Sequence, residues 1–267
     1  MRGKLPGSPI TDNMLEARNV ILDNPLKMYN EAELLYDRKY TCPVCSKEFA
    51  SKAVRTGKAL PDGMDFDLRQ RYVNLDPIKY YVLECPKCGY ADMESTFEKV
   101  NRFELEELRK NKAAKSLAAK LPYGIRDHAE ALMHYKSAMR CDLVRKAKYG
   151  KRGYTALHTA WLLRSWRVAL HNAGEPVSDG DPMSEKEEFK LLKYAYTNFR
   201  EAELKESFPI NGVKESTFDY IMAALSYMLD KKEESYKYVL RVLHNDDLTP
   251  VLRIKAEDLQ NTLRKER

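Results

Sequence analysis

Two cysteine pairs, Cys42-Pro43-Val44-Cys45 and Cys85-Pro86-Lys87-Cys88-Gly89, constrain this chain more than any other feature. Cysteines three apart in a tight turn can aim both sulfurs at one metal ion, and two such turns close a tetrahedral set. Cys42, Cys45, Cys85 and Cys88 are therefore predicted to hold one ion. Zinc suits four soft thiolates, and a complete set leaves no open coordination position, so the expected role is structural. Iron in a rubredoxin-like site uses the same geometry and stays open as an alternative. A dithiol redox pair fits less well, since it sits at a helix start in a βαβ context that these residues lack. Glycine after the second cysteine, as at Gly89, lets backbone amides turn toward the sulfurs; Ser46 takes that place in the first pair. Zinc binding supplies about 10–16 kcal/mol of apparent folding free energy. That matters here because residues 40–95 carry little apolar content of their own. The 39 residues between Cys45 and Cys85 are about twice the usual spacing between ribbon knuckles. They are expected to form an elaborated hairpin or small sheet that returns to the metal.

The texture on either side of this module differs. Residues 1–39 read as a tail and short helices, with Met14, Ala17, Ile21 and then Leu26, Tyr29, Leu34 at helical spacing around a break at Asn24-Pro25. Residues 40–95 alternate strand-like runs (Val54, Tyr72-Val73, Tyr80 to Leu83) with turns such as Pro61-Asp62-Gly63. Residues 96–267 are helical throughout. Ser95-Thr96-Phe97-Glu98 fits a capping box at the switch, Ser184 and Glu187 fit another, and Thr249-Pro250 pairs an N-cap with proline at the first helical position. Helices are predicted near 126–148, 153–173, 184–206, 213–230, 232–245 and 249–265. The helix carrying Leu157, Trp161, Leu162, Trp166 and Val168 is apolar on more than one face and belongs in the middle of the stack. Ala223 and Ser235 stand twelve apart across a short break, as small residues do where paired tetratricopeptide helices approach closely. Asp230 replaces that motif's glycine and the 174–183 linker is long, so an ordinary helical bundle is the alternative. The fold class expected is α+β, mainly α: a small four-cysteine zinc-ribbon-like β module followed by a tetratricopeptide-like antiparallel helical array.

Charge is unevenly spread. Residues 99–152 hold 15 Lys/Arg against 6 Asp/Glu, including Arg109, Lys110, Lys112, Lys115, Lys120, Arg140, Arg145, Lys146, Lys148, Lys151 and Arg152. Such density attracts nucleic acid or an acidic partner, or simply marks helices with solvated basic faces, which is the preferred expectation. No apolar run approaches the length of a membrane span and no secretory signal opens the chain, so membrane and export roles are not expected. Paired cysteines of this spacing indicate metal ligands in a reducing cytoplasm rather than disulfides. Asp65-Phe66-Asp67 is expected as a polar turn, with a divalent-metal or catalytic pair as the alternative. Glu130 and His134 are expected as a surface pair on one helix face, and Cys141 as a small core residue. His128, His158, His171 and His244 are scattered, and the chain has neither a glycine-rich phosphate loop nor a nucleophile elbow.

Longer stretches carry a family resemblance. Residues Tyr36 to Phe49, then Val54-Arg55, Asp65-Phe66-Asp67, Tyr72, the run from Asp76 to Ala91, Ala160 to Arg164 and Ala256-Glu257-Asp258 together resemble the bacterial family called domain of unknown function 2225. The likeness covers roughly residues 36 to 265, with the double knuckle and its Asp-x-Asp insert the specific portion. It implies a cytoplasmic protein with a four-cysteine metal site and tetratricopeptide-like helices, and it carries no activity over.

These features favour a non-enzymatic, zinc-stabilised adaptor whose helical part receives a protein segment. Tyr194, Tyr196, Tyr220, Tyr227, Tyr236 and Tyr238 would supply groove contacts, with Tyr196 and Tyr236 expected to pack between helices instead. Nucleic-acid binding through the zinc module and the basic 99–152 stretch is the alternative. An enzyme using Asp65 and Asp67 in a cleft is a third.

Overall fold

The computed structural model describes residues 30–111 and 124–266. The helices expected from Met14 to Tyr29, and the basic residues Lys112, Lys115 and Lys120, lie outside the described residues. A single turn, α1 (Glu31–Leu34), leads into three two-stranded antiparallel ribbons: β1 (Leu35–Thr41) with β2 (Glu48–Val54), β3 (Pro61–Met64) with β4 (Gln70–Tyr72), and β5 (Val82–Glu84) with β6 (Ala91–Met93). The first ribbon pairs Leu35 with Val54 and Thr41 with Glu48; the third pairs Val82 with Met93 and Glu84 with Ala91. Each cysteine pair is thus the tip of its own hairpin. The long spacing between the pairs is filled by β2, the inserted β3–β4 ribbon and a 3-10 turn at Pro77–Tyr80.

The helices follow as α2 (Arg102–Lys110), α3 (His128–Val144), α4 (Tyr149–Asn172), α5 (Glu185–Lys205), α6 (Glu215–Met228), α7 (Lys232–Leu243) and α8 (Pro250–Lys265). From α3 onward they match the expected spans to within a turn. The switch into helix does not occur where expected. Glu94–Thr96 is a 3-10 turn in which the Thr96 hydroxyl donates to Asp92, and the capping box that starts α2 is Asn101 with Glu104. Ser184 does accept from the Glu187 amide at the start of α5, but the Glu187 carboxylate takes Lys190 instead of completing the box. Thr249 caps α8 with Pro250 at its first position, as the sequence predicts.

Helix α4 is central. Ala156, Leu157, Ala160 and Leu162 are wholly buried, and Gly153 lets the Phe199 ring of α5 approach to 2.6 Å of where a Cβ would stand. Helices α6 and α7 pack just as closely: the Ser235 hydroxyl donates to the Ala223 carbonyl at 2.8 Å, and neither residue is exposed. The tight turn between them puts Asp230, where the motif has glycine, at φ 59°. Apolar packing runs from the cysteine hairpins into the helices without a break, since Cys42, Val82, Tyr90 and Phe97 share one buried cluster with Trp161 and Leu225. The architecture is α+β and mainly α. Among the described residues no helix is long and apolar enough to cross a membrane.

Candidate metal centre

The two hairpin tips face each other. The sulfurs of Cys42, Cys45, Cys85 and Cys88 all lie within 4.8 Å of one another, with Cys42 to Cys88 and Cys45 to Cys85 each at 3.6 Å. Sulfurs bound to one zinc at about 2.3 Å in a tetrahedron stand about 3.8 Å apart, so the spacing fits such an ion. All four are free cysteines; Cys42 and Cys85 are buried and Cys45 and Cys88 half-buried.

Local backbone geometry makes the two tips near copies. The Cys42 amide donates to the Lys47 carbonyl and the Ser46 amide to the Cys42 carbonyl; likewise Cys85 to Tyr90 and Gly89 to Cys85, all at 2.8–2.9 Å. Both tips close through a left-handed residue, Gly89 at φ 75° and Ser46 at φ 58°, so the serine adopts a conformation that glycine reaches without strain. Behind them a ring cluster fixes the hairpins: Phe97 lies 6.5 Å from Tyr40, 5.8 Å from Phe49 and 5.0 Å from Tyr90 between centroids. Helix α2 reaches over the first tip, where Arg109 Nε donates to the Val44 carbonyl at 3.1 Å. Cys141 of α3 backs the second tip and accepts from the Ala91 amide at 3.4 Å; burial pushes its thiol up to about 11. It is a core residue, as expected. Hydrogen bonds from its neighbours Cys42 and Cys88 hold the Cys85 thiol well below its ordinary range, while the same crowding raises Cys42 and Cys88. Crowded in this way, the thiols oppose one another's ionisation, and a bound cation would favour the deprotonated form of the set.

The other singled-out residues stand in different surroundings from those expected. Asp65 and Asp67 do lie in a turn, closed by the Leu68 amide donating to the Asp65 carbonyl at 3.1 Å, but it is a buried one: the two acids are 5% and 0% exposed. Arg164 of α4 bonds Asp67 through both terminal nitrogens at 2.8 Å and Asp65 at 3.1 Å, and Trp161 Nε1 donates to Asp67 at 2.9 Å. Arg69 adds a bond to Asp65 at 3.1 Å, and Glu188 of α5 pairs with Arg164 at 2.6 Å and with Arg167. Burial alone would raise the Asp67 carboxyl; the Arg164 guanidinium overrides it and holds the group below its ordinary value. The insert is clamped to the helices through these acids.

Glu130 and His134 are not a surface pair. Glu130 completes a capping box with Asp127 at the start of α3, and His134 is buried with Nδ1 2.9 Å from Glu84 of β5. The basic stretch is also partly internal. Arg145 pairs with Asp92 at 2.9 Å and with Asp142 at 2.5 Å, and Lys151 lies 2.5 Å from Asp92, all of them buried. The acid shared by both, Asp92, sits on β6 outside the basic stretch, so local charge counting could not reveal that pairing, whereas Asp142 stands three residues from Arg145. Of the tyrosines, Tyr220 donates to the Phe66 carbonyl at 3.0 Å, Tyr238 to Glu203 at 2.6 Å, Tyr227 to Glu266 at 2.8 Å and Tyr196 to Glu234. Tyr196, Tyr220 and Tyr238 are buried; Tyr194 is exposed.

No curated protein and no solved structure matches the chain. A family model does, over residues 35–264, which takes in both hairpin tips, the clamped insert and every helix from α2 to α7, with nearly all of α8. The chain belongs to that family, described as an uncharacterized protein conserved in bacteria (DUF2225).

Proposed function

We propose that Cys42, Cys45, Cys85 and Cys88 hold one structural zinc ion, and that the protein is a non-enzymatic adaptor acting in the bacterial cytoplasm. The carrying observation is the closeness of the sulfur set: four thiols within 4.8 Å of one another, beside α2 and α3, would complete a tetrahedron about one ion and leave it no open position for substrate. Zinc then serves to fasten two hairpins whose strands are short. A non-catalytic reading is further supported by Asp65 and Asp67, whose carboxylates are already engaged by Arg164, Arg69 and Trp161.

The partner favoured is a protein segment. Val251 and Ile254, one turn apart on α8, are 56% and 60% exposed, and Leu204 on α5 is 74% exposed. Because most of the expected groove tyrosines are spent on internal hydrogen bonds, these aliphatic side chains are the better contact candidates. Burial of Arg145 and Lys151 in ion pairs works against the nucleic-acid alternative by removing cations from the surface. Affinity capture with the full-length protein, repeated with a Val251→Glu/Ile254→Glu variant, tests the reading. The expected result is a protein partner retained by the native chain and lost by the variant, whose metal content and circular dichroism are unchanged. Tight nucleic-acid binding with a steep salt dependence, and no partner lost with the variant, would overturn it.

A further inference from the structure

A cavity of about 370 Å³ is walled by β4, the Pro77–Tyr80 turn, residues 93–95 and the first half of α4. Its volume falls within the range of about 300–1,000 Å³ typical of small-ligand sites. Five rings line it: Tyr72, Tyr81, Tyr154, His158 and Trp161. Tyr154, His158 and Trp161 follow one face of α4, with the His158 ring 4.1 Å from that of Tyr154, 4.6 Å from Trp161 and 6.1 Å from Tyr81.

The polar groups in this wall have a definite character. His158 Nδ1 donates to the Tyr154 carbonyl at 3.0 Å, which leaves the lone pair on Nε2. Burial pushes the imidazole down to about 4, so the ring is neutral near pH 7. Among the described residues no protein group hydrogen-bonds Nε2 or the Tyr154 hydroxyl, and neither atom is sealed off. The charged groups of the wall, by contrast, are already paired. Arg69 bonds Asp65 and Asp76, while Glu94 takes Arg38 and Tyr40. A charged ligand would enter without a counter-ion. A neutral one meets aromatic faces, a free acceptor and a free hydroxyl.

We propose that this cavity binds a neutral planar heterocycle with a hydrogen-bond donor and acceptor on one edge, namely a purine or pyrimidine base carried as a free nucleoside. An N–H of the base donates to His158 Nε2, its carbonyl or ring nitrogen accepts from the Tyr154 hydroxyl, and its faces lie against the surrounding rings.

Calorimetric titration of the full-length, metal-loaded protein with adenosine, inosine, cytidine and uridine tests this. Choline, inorganic phosphate and a single-stranded RNA oligomer complete the panel. At least one nucleoside is expected to bind saturably at one per chain. Tyr154→Phe, which removes only a hydroxyl, is expected to weaken that binding roughly tenfold. Ser95→Trp, at the exposed rim of the cavity, is expected to abolish it while the circular dichroism stays native. The proposal is overturned if no nucleoside saturates in the millimolar range, or if both variants bind like the native chain. It is equally overturned if choline, phosphate or the RNA oligomer binds where free nucleosides do not.

Discussion

Arg164 on α4 closes a fork on Asp67, which lies 97 residues earlier in the chain, with Nη1 and Nη2 each 2.8 Å from a carboxylate oxygen. Asp67 is fully buried. Removing one member of a buried pair leaves the other charge without a partner, a loss of about 3–5 kcal/mol. Arg164→Leu is therefore expected to lower the unfolding free energy by that order in denaturant titration, whereas exchange of an exposed pair member such as Lys190→Ala should change it by less than about 1 kcal/mol.

The same pair sets an acid limit. Asp67's carboxyl is held below its ordinary value of 3.8 in the folded chain. A group depressed on folding contributes stability that is fully present above its unfolded value and is lost as pH falls through its folded one. Stability is expected to decline below about pH 4, with a shallower acid slope in Asp67→Asn, measured as melting temperature against pH. A native slope in that variant would remove Asp67 from the account.

Much of this architecture can be read from the sequence, and the rest is hidden for a physical reason. The cysteine pairs are legible because each acts through a turn of four residues, and α3 to α8 because apolar side chains repeat every three or four positions. Asp67 with Arg164, Glu84 with His134, and Asp92 with Arg145 and Lys151 join segments far apart in the chain, so local pattern shows the turn at Asp67 but not its burial, and reads the others as a surface pair and solvated cations. The Ser95 cap failed for a subtler reason. Asn101 with Glu104 offers an equivalent box six residues on, and Asp92 draws Thr96 into a 3-10 turn before it.

Ser235 tests the close approach of α6 and α7. Ser235→Ala removes the bond to the Ala223 carbonyl but leaves that carbonyl in its helix, and is expected to cost about 1 kcal/mol. Ser235→Leu must force the helices apart and is expected to cost more, about 1–3 kcal/mol. Equal, small effects from both in denaturant titration would show that the contact tolerates extra volume.

Chelation should act unevenly along the chain. The hairpins β1–β2 and β5–β6 lose their fastening, so near-ultraviolet dichroism from the Tyr40, Tyr90 and Phe97 cluster is expected to collapse. Helices α4 to α8 pack chiefly on one another and should keep most of the far-ultraviolet signal. Loss of both signals together would mean that hairpins and helices fold as one cooperative unit.

The metal itself is the most direct test. Full-length protein produced with zinc and iron both supplied should contain close to one zinc per chain by elemental analysis, falling to near zero in Cys85→Ser. Iron in place of zinc, with a red visible chromophore, or zinc retained undiminished by Cys85→Ser, would contradict a structural zinc held by Cys42, Cys45, Cys85 and Cys88.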